Sequence, residues 1–264
     1  MELLRIMKGH IKEVFAYKEM IHSLTKRELR GKYAKSVLGF LWSFLNPLFQ
    51  ILVYTFVFSV IFKNSMDHYY IYLMTGLLPW TFFADSFSQG AVAIISNSEM
   101  VKKIYFPRDV LVIAEVNAKL INLLLSMIVM ALFIVFSGVE FTWHIVFLPV
   151  ILLIEYIFAL GCALLVSSIT VYLRDMEYIV NVILMAWIWG TPVMYNLDAI
   201  SGVYRRLLTL NPMTPIIVSY QDILYWHRVP YSVNLMVPLV EAVIVLILGE
   251  VVFCRLVRGF AEEM

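Results

Sequence analysis

Apolar residues fill six long stretches of this chain, at 38–62, 70–95, 112–136, 144–172, 178–196 and 232–254, with polar clusters between them. The first is the clearest. From Ser36 to Phe62 there are 27 residues without Asp, Glu, Lys or Arg. About 20 apolar residues suffice to cross a bilayer, and lipid offers the backbone no hydrogen-bond partner, so each stretch is predicted to be a membrane-spanning helix. A buried core helix accounts for one such run in a soluble protein, not for several.

Two shorter patterns depart from this rule. Leu207 to Gln221 is apolar and uncharged, but it is only 15 residues long and is interrupted by Pro212 and Pro215. It is too short to cross and too apolar for an exposed loop. A re-entrant hairpin dipping from the outer face satisfies both constraints, and a loop lying flat in the interface is the alternative. Near the start, Ile11, Val14, Tyr17, Ile21 and Leu24 recur at spacings of 3 and 4 among basic residues. That pattern predicts an amphipathic helix in the inner membrane interface. The expected fold is therefore an all-α integral membrane protein in one domain, with an interface helix within 1–36 and a six-span bundle over 37–256.

Charge orients the bundle. Nine Lys/Arg fall in the first 35 residues, and the segments alternating with them hold Lys102, Lys103, Arg108, Arg174, Arg255 and Arg258. The opposite side has Lys63, no basic residue at 137–143, and Arg205, Arg206 and Arg228 in one long connection. The positive-inside bias then puts both termini in the cytoplasm. Overall, 62% of the 264 residues are hydrophobic and 15% charged, where a soluble domain has about a quarter charged. The start shows no secretory signal pattern. Cys162 and Cys254 lie inside apolar runs and imply no disulfide framework.

Catalytic chemistry finds little support. No G-x-x-x-x-G-K-[ST] phosphate cradle occurs, and "RGKYAKS" at Arg30–Ser36 lacks its glycine spacing. His10, His22, His68, His144 and His227 are scattered, without metal-ligand spacing. No G-x-S-x-G nucleophile elbow is present. Lone acids interrupt the spans at Asp85, Glu155 and Glu241. Asp85 sits among polar residues and is expected to face a wet cavity. The two glutamates are expected near mid-span or paired with a group such as Lys119. Intramembrane acids also suit a proton-coupled transporter, the main rival class.

The polar segment after the second run carries more information. Ser96 and Glu99 have capping-box spacing, so a short helix is expected there, stopped by Pro107. It leaves Tyr105 and Phe106 beside Lys102, Lys103, Arg108 and Asp109. Such a unit fits a partner's groove, and an ordinary positive-inside loop is the alternative.

The ordered segments "RELRGKYAKSVLGFLWSFLNPLFQILVYTFVFS", "GLLPWTFFADS", "EMVKKIYFPRDVL", "VYLRDMEYIV", "TPVMY" and "LNPMTPII" resemble the ABC-2 type permeases that export bacterial cell-surface polysaccharides. Membrane subunits of O-antigen and wall teichoic acid exporters are among them. The resemblance runs from about Thr25 to the end of the last apolar run. It implies a homodimer in the bacterial cytoplasmic membrane, paired with two copies of a separate nucleotide-binding subunit that holds ATP and Mg. The chain itself is then no enzyme and binds no cofactor, metal or nucleic acid. The implied cargo is a lipid-linked glycan. A drug- or lipid-exporting ABC-2 permease is the nearest alternative, and a membrane-embedded glycosyltransferase a more distant one.

The same resemblance assigns sites. Glu99, Met100, Lys102, Lys103, Tyr105, Phe106, Arg108 and Asp109, with Arg174 and Asp175 of the next loop on that side, are expected to couple to the ATPase, Phe106 being the apolar anchor. Pro192, Tyr195, Asn211, Pro212 and Pro215, in and before the 197–230 connection, are expected at an external gate. One departure concerns this gate: Gln221-Asp222 stand where family members commonly have an Arg-Asp pair, which removes the expectation of a charge pair there.

Phe40, Phe44, Pro47, Ile51, Tyr54, Phe58 and Phe62 follow helical steps of 3 and 4 and share one face. Flat rings let sugar units slide without demanding one hydrogen-bond pattern. Tyr54 and Phe58, with Trp80, Phe83, Trp187 and Trp189, are the expected substrate path, and Phe40 and Phe62 are expected in interfacial belts.

Overall fold

The computed structural model describes residues 13, 14, 16–31, 41–61, 66–140 and 142–263. The expectations for Ile11, Phe40 and Phe62, and for the side chain of Phe44, lie outside that description. Among the described residues all regular structure is helical. The main helices are α1 (Lys18–Gly31), α2 (Trp42–Thr55), α3 (Tyr69–Val92), α4 (Ser98–Lys103), α5 (Asp109–Phe136) and α6 (Leu148–Tyr172). They are followed by α7 (Met176–Trp187), α8 (Gly202–Thr209), α9 (Met213–Leu224) and α10 (Ser232–Leu256).

Among the described residues, three continuous helical stretches are long and apolar enough to cross a membrane: Asp109–Phe136, Trp143–Tyr172 and Ser232–Gly259. They match three of the expected spans. The fifth expected span, 178–196, is not a continuous helix. α7 ends at Trp187, and the chain turns through 188–195. Its 12 residues rise only about 18 Å. Gly190 and Pro192 explain the stop, because proline supplies no N–H to the ladder and disfavours helical geometry at the residue before it. In the first run, Pro47 sits inside α2, which continues as a π-helical turn over Phe56–Ile61.

α3 is the hub, contacting α2, α5, α6, α7 and α9. Almost all of its first three turns is buried, Pro79 included. α10 is the opposite case. Its buried residues, Pro238, Ala242, Gly249 and Phe253, fall along one face, and apolar side chains such as Val233, Val240 and Leu248 are exposed elsewhere. A helix apolar all round with one packed face suits a bundle bordered by lipid.

That packed face explains two glycines. A Cβ on Gly161 of α6 would lie 2.6 Å from the Leu246 nitrogen of α10, and one on Gly249 would collide with the Gly161 carbonyl. Small residues let helix backbones approach this closely.

The helices define two ends. At the basal end, α1 packs on α5, where the Thr25 hydroxyl donates to the Ala114 carbonyl at 3.3 Å. The apolar stripe of α1 and of the residues just before it is directed inward: Leu24 is buried, and Val14, Tyr17 and Ile21 pack against the core. α4, the α6–α7 turn and the C-terminal residues lie at the same end; there Arg108 reaches the Val257 carbonyl and the Tyr172 hydroxyl donates to the Leu256 carbonyl at 2.7 Å. The apical end holds the start of α3, the end of α5 with Gly138 in the left-handed region (φ 71°), and the 188–231 connection. The chain leaves α7 and enters α10 at this end. Between them α9 buries ten of its twelve residues against α3, α6 and α10.

Candidate functional site

The apical connection is built around an unwound backbone. Carbonyls freed after α7 need donors, since a buried C=O without a partner is costly. Side chains supply them. Tyr69 and Tyr72 of α3 donate to the carbonyls of Met194 (2.5 Å) and Tyr195 (2.7 Å), and Gln221 of α9 donates to the Pro192 carbonyl at 2.7 Å. Asn211 does most. Its amide nitrogen reaches the Gly190 carbonyl and the Thr191 hydroxyl, both at 2.8 Å, and its oxygen accepts from Trp187 Nε1 at 2.7 Å and from the Met213 backbone N–H at 3.0 Å.

The residues expected at the gate therefore come together. Pro192 is buried, and the Tyr195 hydroxyl donates to the Trp189 carbonyl at 2.9 Å. Pro212 sits at the α9 N-terminus, and the Pro215 carbonyl accepts from Ser219 at 2.7 Å. A charge pair exists as well, contrary to the expectation drawn from Gln221-Asp222. Buried Asp222 accepts from Arg228 Nε at 2.7 Å, and Arg228 lies 3.8 Å from Asp198, which also pairs with Arg205. The partner comes from six residues downstream, where a motif comparison does not look. Gln221 instead packs near Gly76, where a Cβ would fit only tightly, 3.0 Å from the Val193 carbonyl oxygen and 3.3 Å from Gln221 Nε2.

The aromatic expectation divides. Trp80 (4% exposed) and Phe83 (0%) are interior, and Phe83 packs against Phe158 at 5.4 Å and Trp187 at 5.1 Å between ring centroids. They line no open space in the chain itself, a correction with a plain cause: their side of α3 packs against Phe158 of α6 and Trp187 of α7. Trp189, just past the apical end of α7, is 61% exposed, above exposed Tyr178, Val182 and Met185. Tyr54 and Phe58 are half-buried; Gln50 donates to the Tyr54 hydroxyl at 3.2 Å, and Phe58 meets Tyr69 at 5.9 Å.

The acids in the spans take separate environments. Asp85 lines a polar cavity of about 210 Å³ between α2, α3 and α5, with Asn46, Gln50, Lys119 and Asn122, as the wet-cavity reading anticipates. Glu155 is fully buried and accepts from the Tyr220 hydroxyl at 2.6 Å. Lys119 pairs instead with Glu115, one turn before it, at 2.6 Å. The Glu115/Lys119 spacing was the legible signal for that pair. Glu241 has one buried carboxylate oxygen without a partner among the described residues.

At the basal end the short helix exists, but it begins at Ser98 without a side-chain cap. Asn97 instead donates to the Ala93 carbonyl and accepts from Arg27, and Glu99 pairs with Lys103 at 2.8 Å. Phe106 is 4% exposed within its own chain and offers no anchor to a partner. Ile104 (57%) and Tyr105 (83%) protrude instead, beside exposed Lys102 and Lys103. Met100 is half-buried and Asp109 buried. Arg174 and Asp175 are exposed, and Arg174 shares a small hollow with Ser98 and Glu263. Both expected coupling segments thus meet on one surface. No group of three or more His, Cys, Asp or Glu suited to a metal occurs among the described residues.

Residues 19–225 match the family model described as ABC-2 type transporter. The chain is 36% identical over 256 residues to the O-antigen export system permease protein RfbA of Myxococcus xanthus, covering 96% of this chain and 98% of that protein. It is 28% identical over 248 residues to the protein of the same name from Klebsiella pneumoniae, covering 92% and 94%. The polysialic acid transport protein KpsM of Escherichia coli is 22% identical over 205 residues, covering 76% and 79%.

Proposed function

Because this chain belongs to the ABC-2 type transporter family, we propose that it is the membrane permease of an ATP-driven exporter of lipid-linked cell-surface polysaccharide. The observation that carries this reading is the likeness to an O-antigen export permease along nearly the whole of both chains. In this reading the subunit dimerises in the bacterial inner membrane, with both termini cytoplasmic. The spans are α2 with its π-helical turn, α3, α5, α6, α7 with the chain after it, and α10. α8 and α9 form an external re-entrant hairpin. Two copies of a separate ATPase subunit dock at the basal end, bringing ATP and Mg.

The exposed Ile104–Tyr105 step, preceded by two lysines and following the short helix whose Ser98 shares a hollow with Arg174, supports docking there. An apolar step inside a basic rim suits a groove on a soluble partner better than it suits water. Half-buried Tyr54 and Phe58, at and just after the end of α2, and exposed Trp189, just after α7, are the parts of the aromatic set left to line a path between two copies.

The test is capture and transport. A tagged chain should bring down an ATP-hydrolysing subunit, and removing the chain should leave lipid-linked glycan on the cytoplasmic face with none at the surface. Export that persists after ATP depletion and follows the proton gradient overturns the reading in favour of a secondary transporter. Normal surface glycan with a lost drug or lipid efflux overturns the cargo.

A further inference from the structure

We propose that the cavity between α2, α3 and α5 binds one uncharged pyranose unit of a glycan. The cavity measures about 210 Å³. A cavity of about 150 Å³ already admits benzene, so a six-membered sugar ring with its hydroxyls has room. Asn122 lines it from halfway along α5, a depth at which polar side chains are costly and mark a function by default. Its amide oxygen is buried and has no hydrogen-bond partner among the described residues.

The lining decides the chemistry of the ligand. Asn46 and Gln50 of α2 and Asn122 of α5 bring amides, and Thr81 of α3 and Ser126 of α5 bring hydroxyls. Amides and hydroxyls both donate and accept hydrogen bonds, as sugar hydroxyls do. A bare anion only accepts, and would leave the Asn122 oxygen unsatisfied. An ammonium only donates, and would leave the amide N–H groups unsatisfied. Among the described residues the cavity has one cation, Lys119, which Glu115 already holds at 2.6 Å. Asp85 brings an acid, so the lining offers a phosphate no net positive charge. Water also donates and accepts, but it gains nothing from Trp42, Phe82 and Leu123 on the same walls. A pyranose uses both kinds of wall. Its hydroxyls lie round the rim, and its C–H faces suit the negative face of an indole.

One stripe of α2 joins the cavity to the proposed path. Trp42, Asn46, Gln50 and Tyr54 recur every four residues and share a face. Asn46 and Gln50 are exposed in the single chain, and Gln50 donates to the Tyr54 hydroxyl at 3.2 Å. Exposed amides on a membrane span need a polar covering, which a glycan beside Tyr54 supplies. The place of this pocket in export rests on the polysaccharide reading; its affinity for a sugar does not.

Saturation-transfer NMR on the full chain in nanodiscs tests it. The probes are methyl glycosides of mannopyranose, galactopyranose and N-acetylglucosamine, with cyclohexanol and inorganic phosphate as controls. At least one glycoside should bind above empty nanodiscs, better than cyclohexanol and without displacement by phosphate. Asn122→Leu should weaken it about fivefold, the scale of one lost hydrogen bond. Gln50→Leu, at an exposed position, should weaken it similarly at an unchanged melting temperature, and serves if the first variant misfolds. Binding of no glycoside, equal binding of cyclohexanol, displacement by phosphate, or undiminished binding by both variants overturns the proposal. If removing the chain spares surface glycan while the glycoside still binds with this dependence, the cargo falls and the pocket stands. If removal clears surface glycan and no glycoside binds, the pocket falls and the cargo stands.

Discussion

Asn211 and Trp187 are joined by a 2.7 Å hydrogen bond from the indole Nε1 to the amide oxygen, linking the last residue of α7 to the residue just before the α9 turn. The same amide group donates to Gly190 and Thr191 and accepts from Met213. Only a side chain with two acceptor sites and two donors on one plane does this, so Asn satisfies all four of its positions here. The bond also fixes the Trp187 ring against Phe83 of the central helix. The apical connection and the core are thus joined at this residue.

Asn211→Asp keeps the acceptors and loses both donors, turning a carboxylate toward the Gly190 carbonyl. It should destabilise the fold by about 1–3 kcal/mol, the cost of unsatisfied buried polar groups, and lower export. Thermal unfolding in detergent and surface glycan read the two effects. Wild-type values for both would remove Asn211 from the gate.

Gly249→Ala places a methyl group against the Gly161 carbonyl, and rigid helix backbones yield little. Overpacking of this kind typically costs about 1–3 kcal/mol. Gly31→Ala is the control, since nothing lies within 4 Å of its added Cβ. A lower melting temperature is expected for the first variant only. Equal melting would mean that α6 and α10 separate easily.

The basal surface separates two neighbouring rings. Phe106→Ala empties a buried position and should cost about 3–5 kcal/mol of stability. Tyr105→Ala removes an exposed ring and should leave melting unchanged, while ATPase capture falls by an amount near 2 kcal/mol or more, if Tyr105 is the anchor. Undiminished capture would make this segment a topological signal only.

A similar contrast holds for the aromatic set. Phe83→Ala should behave as a core cavity, again about 3–5 kcal/mol. Trp189→Ala should leave melting and partner capture unchanged and slow export. Proportional loss of stability and export in Trp189→Ala would place that ring in packing.

Topology is read by single-cysteine labelling at Ser201, Ser232 and Glu263, in a chain whose Cys162 and Cys254 are replaced. Ser201 and Ser232 should react from outside, and Glu263 only after permeabilisation. External labelling at Glu263 would require a seventh crossing in the 207–224 region.

The sequence by itself determined the membrane class, the apolar runs, the anomalous Leu207–Gln221 stretch and the short helix ahead of Pro107, because all of these follow from local composition, period and proline chemistry. It also carried the family resemblance through ordered motifs. Local pattern does not say which face of an apolar helix meets protein and which meets lipid. Trp80 and Phe83 look like Trp189 in one dimension, yet α3 is enclosed by five neighbours and α7 is not. Phe106 and Tyr105 are adjacent and equally aromatic, but one is turned into the core and the other out. The Asp222–Arg228 pair and the four bonds of Asn211 join groups whose sequence separation varies and carries no period. Only the packing of α3, α7 and α9 brought those partners within hydrogen-bond distance, and burial then made leaving them unpaired too costly.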